Sequence, residues 1–284
     1  MRIKMRPKQL LVSLILIIGL VSCGKGDFRP VENAGIPLIS KVLVDSEPFR
    51  EYTYNEVNLV VEEKTKFSYT GHFYNSKNQL VQSDSYWDHS IFSSSSYVLE
   101  DAMKRTEWVS PANTEKASYR TYQYNVYDQL SKINYNPVTM GAESYSTFEY
   151  DVDKRINKQL QFYGNRLSSY FEYTYDNIGN LVKTWRYNID DHGNAVLSTT
   201  TEYEFDDKHN PYYAFKRLCL PGINTNPNNI IKETYRIHFE VPANIETTQI
   251  KSTTYEYNDQ GYPFKVNGSM EYIFTTPRIG LFPD

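Results

Sequence analysis

The chain has 284 residues, with 30 Lys and Arg against 34 Asp and Glu and a formal net charge of −4. That weak negative balance lacks the basic patch of a nucleic-acid-binding domain, and the length suits one large β domain or two smaller ones. With only Cys23 and Cys219 the fold must rest on packing rather than on disulfides, and its unusual supply is 26 Tyr, 14 Phe and 3 Trp, residue types that fit half-buried strands.

The first element is a signal. Arg2, Lys4, Arg6 and Lys8 precede an apolar run from Leu10 to Val21, broken only by Ser13 and Gly19. A membrane-spanning helix needs roughly 20 apolar residues. This run is shorter, and its basic flank and small-residue end are those of a secretory signal. Leu20-Val21-Ser22-Cys23 resembles the lipobox of bacterial lipoproteins. The resemblance implies cleavage between Ser22 and Cys23, a diacylglycerol thioether on Cys23, and acylation of the new amino group, as with palmitate. Residues 1–22 are expected to be the signal peptide. Residues 23–37, rich in Gly, Pro and Asn with no apolar period, are expected to be a lipidated, flexible tether. Gly24, not Asp, follows the cysteine, which within that resemblance favours the outer membrane; which face carries the protein stays open. Cys219 then lacks a partner and reads as a small buried apolar residue rather than a catalytic thiol.

Beyond the tether a degenerate repeat emerges. Seven segments share the form aromatic–x–aromatic–Asx: Tyr52 to Asn55, a degenerate copy Gly71 to Asn75, Tyr122 to Asn125, Phe148 to Asp151, Tyr173 to Asp176, Tyr203 to Asp206 and Tyr255 to Asn258. The spacing is about 25 residues, the sum of two strands and two short turns. Two gaps are about twice as long and read as places where a copy has decayed. In each copy the aromatics point one way and the intervening residues the other. The Asx side chain can bond backbone groups just downstream and so start a turn. Three residues later stand Asn58, Asn78, Asp128, Lys154, Gly179, His209 and Gly261. All but Lys154 suit a left-handed turn position, so a different loop is expected at Lys154. Leu59, Leu80, Leu130, Ile156 and Leu181 begin the return strands, whereas Pro211 and Pro263 predict edge-like, bulged or delayed ones.

Tyr173-Thr-Tyr175-Asp176-Asn-Ile-Gly179-Asn180-Leu181 resembles a unit of the tyrosine-aspartate (YD, or RHS-type) repeats. The chain from Cys23 onward is similar to YD-like envelope lipoproteins of unknown function from Bacteroidetes, a comparison supported by Asp206 to Pro211 and by Asn226-Pro227-Asn228-Asn229. The resemblance implies an all-β body of consecutive hairpins and no known activity. Seven uneven copies are too few to enclose a cargo as large YD shells do. Two stretches break the pattern, Ser93 to Trp108 and Tyr212 to Ile230. Each reads as irregular structure with a short helix, serving either as a binding loop or as a cap over a sheet edge.

Chemistry-bearing motifs are sparse. The five histidines have no paired metal-ligand spacing, and Asp190-Asp191-His192-Gly193-Asn194 reads as a polar turn, so no metal or cofactor is expected. No nucleophile elbow or phosphate loop is present. Glu149, Glu172, Glu202, Glu204 and Glu256 alternate with aromatics and read as the wet side of amphipathic strands, although paired carboxylates would allow a glycosidase-like envelope hydrolase. Trp87, Trp108 and Trp185 offer flat apolar faces for a sugar or peptide. The expectation is an all-β antiparallel meander over residues 38–284, an open curved sheet or a barrel-like body of about 12 to 14 strands. Its expected role is non-catalytic: a lipid-anchored envelope protein binding a glycan, a peptide or an envelope protein, with no nucleic acid. The alternatives are the hydrolase and a purely structural component.

Overall fold

The computed structural model describes residues 35–87, 108–138, 143–218, 220–239 and 245–278. Cys23, Cys219 and most of the Ser93–Trp108 stretch lie outside these residues. Seventeen strands form one antiparallel sheet. The first five are β1 (Leu38–Val44), β2 (Glu47–Tyr54), β3 (Val60–Thr65), β4 (Ser68–Tyr74) and β5 (Leu80–Trp87). Next come β6 (Lys116–Tyr124), β7 (Leu130–Pro137), β8 (Ser144–Tyr150), β9 (Ile156–Tyr163), β10 (Arg166–Tyr175) and β11 (Leu181–Ile189). β12 (Ala195–His209) is followed by a 3-10 helix (Pro211–Leu218), then β13 (Asn228–Phe239), β14 (Ile245–Ser252), β15 (Tyr255–Tyr257), β16 (Pro263–Val266) and β17 (Met270–Thr275).

Each strand pairs with the next in the chain except β14 with β15, and β17 also pairs with β1. The two ends of the ladder are then β14 and β15, which are consecutive in the chain. One extended segment serves β13 with its first part and β16 with its last. At the changeover Thr253 N donates to Ile231 O at 2.8 Å, and Asn267 N donates to Thr254 O at 2.9 Å. Among the described residues no strand pair closes the sheet; the chain itself ties its ends together. The strand count exceeds the expected 12 to 14 because β1, β14 and β17 carry no repeat motif. The second long gap holds no decayed copy; it is filled by the 3-10 helix, its flanking loop and β14.

The seven aromatic–x–aromatic–Asx copies are the seven hairpins β2–β3, β4–β5, β6–β7, β8–β9, β10–β11, β12–β13 and β15–β16. All seven shift register by one residue at the second aromatic. Such a bulge disrupts the ladder locally and leaves a backbone group to be satisfied. The next hairpin supplies the partner. Tyr74 Oη donates to Val60 O at 2.8 Å, Tyr124 to Leu80 O at 3.0 Å, Tyr150 to Leu130 O at 2.7 Å and Tyr175 to Ile156 O at 2.6 Å. Tyr54 does the same to Ile39 O on β1; in the seventh copy the first aromatic, Tyr255, bonds Ile230 O, and Tyr257 donates to the Asp206 carboxylate. This is why the second aromatic is so often tyrosine. Burial holds the Tyr54 and Tyr175 phenols well above their ordinary range, so they remain donors.

The turns follow the Asx geometry. Asn55 Oδ1 accepts from Val57 N and Leu59 N, and the pattern recurs at Asn75, Asn125, Asp151, Asp176 and Asn258. Asn58, Asn78, Asp128, Gly179 and Gly261 take positive φ as expected. Lys154 does too, at 62°, contrary to the different loop expected there. The Asp151 carboxylate holds Asp153 N and Arg155 N, both at 2.9 Å, and these bonds outweigh the roughly 1–2 kcal/mol that a side chain costs in this region. The sixth copy departs the other way: His209 ends β12 instead of turning, and the return strand is delayed to Asn228, as Pro211 predicts. Asp190 heads a further Asx turn, between β11 and β12 at the opposite end of the sheet.

Leu59, Leu80, Leu130, Ile156 and Leu181 are buried. Two apolar clusters form on the same sheet face, one around Ile39, Val42, Tyr52 and Tyr272, the other around Leu80, Ile133, Tyr173 and Leu181. The 3-10 helix plugs this face. Its Phe215 belongs to the first cluster, with its ring 4.7 Å from that of Tyr52, and Leu218 packs against both. The opposite face is wet, as the alternation predicts. Glu172 pairs there with Lys158, Glu202 with Lys183 and Arg236, and Glu204 with Lys232.

Candidate functional site

A cavity of about 350 Å³ lies between the plug and the row of Asx turns. Its volume is in the range of small-ligand pockets. Leu130, Ile156, Pro221 and the rings of Tyr124, Tyr150 and Tyr175 give it apolar walls, and Gln79, Gln129 and Thr225 add neutral polar groups. Its charges are Lys154, Arg155, Lys216 and Arg217 against one carboxylate, Asp128.

Asn-rich clamps hold the plug over this space. Asn210 Nδ2 donates to Ile223 O at 2.6 Å and to Asn226 O at 2.8 Å. Asn226 Oδ1 accepts from Leu181 N at 2.8 Å, and Asn180 Oδ1 accepts from Asn228 N at 3.0 Å. Asn229 Nδ2 reaches the Asp206 carboxylate and His209 O. The Asn-Pro stretches that carry the family resemblance therefore pin both stems of the plug. Pinning delivers Lys216 and Arg217, in the last turn of the 3-10 helix, to the cavity wall. Lys216 Nζ sits 4.8 Å from the centre of the Tyr213 ring.

The turn row is laced across hairpins. Asp128 accepts from Lys77 Nζ at 2.8 Å and from Gln79 Nε2 at 3.2 Å, joining the second hairpin to the third. The Lys77 ammonium, helped by Gln79, holds that carboxyl below its usual range. Arg155 is bound by Asp151 and Asp153, each at 2.8 Å, donates to Asp176 O at 3.3 Å, and lies 4.8 Å over the Tyr175 ring. The cavity's one carboxylate is thus committed to a cation, and the lining contains no carboxylate pair.

The three tryptophans stand elsewhere. Trp87 ends β5, Trp185 is in the middle of β11, six strands away in the ladder, and Trp108 precedes β6, where its carbonyl accepts from Asn113 Nδ2. Lys183 Nζ covers one face of Trp185, 4.9 Å from the ring. None of the three lines this cavity. Sequence reading pointed to the Tyr212–Ile230 insertion but not to its basic pair. Lys154 and Arg155 on the turn row and Lys216 and Arg217 on the plug are brought around one cavity only by the packing of the plug against the sheet, which no spacing records.

No family model matches the chain, and no curated protein matches it. Among solved structures it is similar to a porin-like protein from Bacteroides uniformis at 10% identity, covering 84% of this chain and 98% of that one with a TM-score of 0.40. A DUF3836 family protein from Parabacteroides distasonis matches at 15% identity over 39% of this chain and 92% of its own, with a TM-score of 0.28. A TcdB2–TccC3 chain matches at 13% identity over 72% of this chain but only 10% of its own length, with a TM-score of 0.28. At these identities and TM-scores none of the three assigns a function.

Proposed function

We propose that this is a non-catalytic, lipid-anchored protein of the cell envelope that binds a glycan in the cavity between the plug and the turn row. The carrying observation is the chemistry of that lining. Tyrosine rings, glutamine amides and cations surround a space of small-ligand size, and the one carboxylate among them is tied to Lys77. A hydrolase of the glycosidase type needs two carboxyl groups roughly 5–9.5 Å apart facing each other across the substrate. Binding, by contrast, needs only apolar walls with a few placed polar groups.

Gln129 is half-buried at the cavity wall, where its Oε1 accepts from Asn125 Nδ2 at 3.1 Å. Gln129→Trp should fill the cavity while keeping the backbone bonds of its turn. Glycans retained by the full-length chain on an array of envelope polysaccharides should bind at least tenfold more weakly to this variant. Glycan binding of equal strength in the variant places the ligand elsewhere and overturns the assignment. Hydrolysis of any retained glycan would favour the enzyme reading instead.

A further inference from the structure

All seven aromatic–x–aromatic–Asx motifs turn the chain at one end of the sheet, and antiparallel pairing places Leu38, where β1 begins, at that same end. Three consecutive turns there expose apolar tips. Val126 is 91% exposed, Tyr127 80%, Val152 98% and Ile178 59%. The turn itself does not require them: the same two positions hold Glu56 and Val57, Ser76 and Lys77, and Asp259 and Gln260 in other hairpins. The Asx bonds use only the backbone of these positions, so the side chains add nothing to turn stability. Successive hairpin tips stand about 10 Å apart, twice the strand spacing, which lines the four side chains into one apolar ridge. Lys154, Asp128 and Asp153 are exposed beside it, with Asp128 paired to Lys77 and Asp153 to Arg155.

From these tips we infer that this end is a membrane-contacting surface, with Val126, Tyr127, Val152 and Ile178 entering the lipid headgroup region. The inference rests on the lipid-anchor reading of Cys23. Ile36 packs against the first apolar cluster, so 12 residues separate Cys23 from Ile36, a length whose coil dimension is roughly 19 Å. A strand of eight residues is about 26 Å tall. A lipid on Cys23 therefore biases the end containing Leu38, and with it the ridge, towards the bilayer, although a fully extended tether of roughly 40 Å would also permit other orientations. Valine, isoleucine and tyrosine suit an interface where apolar side chains enter, and with Asp128 and Asp153 paired to cations Lys154 is the tip charge that meets phosphates. The cavity is lined by the same turns, so its ligand would meet the protein at the membrane surface.

The test uses the full-length chain, lipidated on vesicles of phosphatidylethanolamine and phosphatidylglycerol. A polarity-sensitive dye is placed on Val152→Cys, or on Asp191→Cys at the opposite end, both in a Cys219→Ser background. The dye at 152 should shift to the blue and be shielded from an aqueous quencher, while the dye at 191 should not. In a Cys23→Ala background, combined Val126→Ser, Tyr127→Ser, Val152→Ser and Ile178→Ser should weaken vesicle binding at least tenfold. Equal quenching at 152 and 191 with lipid labelling intact overturns the contact surface and leaves the anchor standing. Absence of lipid on Cys23 overturns the anchor reading beneath it, whatever the dyes report.

Discussion

Tyr150 and its counterparts show how one hydroxyl secures a repeat. Tyr74, Tyr124, Tyr150 and Tyr175 each donate to a carbonyl at the bulge of the preceding hairpin, Tyr257 donates to the Asp206 carboxylate instead, and Phe205 is the copy in which the hydroxyl is missing. Beside it the plug intervenes, and Asn226 takes Leu181 N instead. Tyr150→Phe leaves the Leu130 carbonyl without its 2.7 Å donor. The expected cost is about 1–2 kcal/mol in chemical denaturation; a change of only a few tenths would mean the carbonyl finds another donor. His72 supplies a second prediction at this scale. It is buried, with Nδ1 2.9 Å from Ser83 Oγ, and burial, assisted by the charge of Arg120, pushes its imidazole down to about 4. In the unfolded chain the value is about 6.5. Between those limits the unfolded state takes up a proton that the folded state refuses, so stability falls as pH drops through the window, by up to about 1.4 kcal/mol per pH unit. Below pH 4 this contribution levels off. Thermal melts of His72→Gln should lose this slope between pH 6.5 and 4, and an unchanged slope would assign it to other groups.

Among the elements, the turns were the most legible. Asx followed three residues later by Gly, Asn or Asp marks five of the six left-handed positions in these hairpins. Lys154 escaped because local propensity was read alone, whereas the Asp151 carboxylate and backbone fix the turn whatever residue follows. Lys154→Gly removes the side-chain strain at φ 62° and should stabilise the protein by about 0.5–1 kcal/mol, the strain relieved outweighing glycine's extra unfolded entropy. Unchanged or lower stability in denaturant melts would show that the lysine stem has packing worth keeping. The sixth hairpin escaped for a different reason. Its motif and His209 match the repeat, yet the clamps of Asn210, Asn226 and Asn229 stabilise a 3-10 plug in place of the turn. Those bonds join residues far apart in the chain, so the Asn-Pro pairs were visible as a signature but not as a clamp.

At the scale of the whole molecule, the ladder's two ends meet in one segment, Ile245 to Tyr257, and the plug fills the face they enclose. The anchor belongs to this scale as well, since it determines which end of the body faces a bilayer. Cys23→Ala is expected to abolish metabolic lipid labelling and leave an uncleaved or soluble protein; membrane attachment unchanged in fractionation would refute the lipobox reading. By itself the sequence determined the class of the fold, the hairpin period, the inward aromatic face, the outward glutamates and most turn positions. All of these depend on residues within one hairpin and on the two-residue alternation of strands. Only the tertiary structure decided the strand count, the meeting of β14 and β15, and the role of the Asn-Pro stretches. It also assembled a basic cavity between the plug and the turn row, which none of the three tryptophans lines. That cavity is built from turns and a helix up to about 145 residues apart, brought together by packing and burial, and neither leaves a periodic trace in the chain.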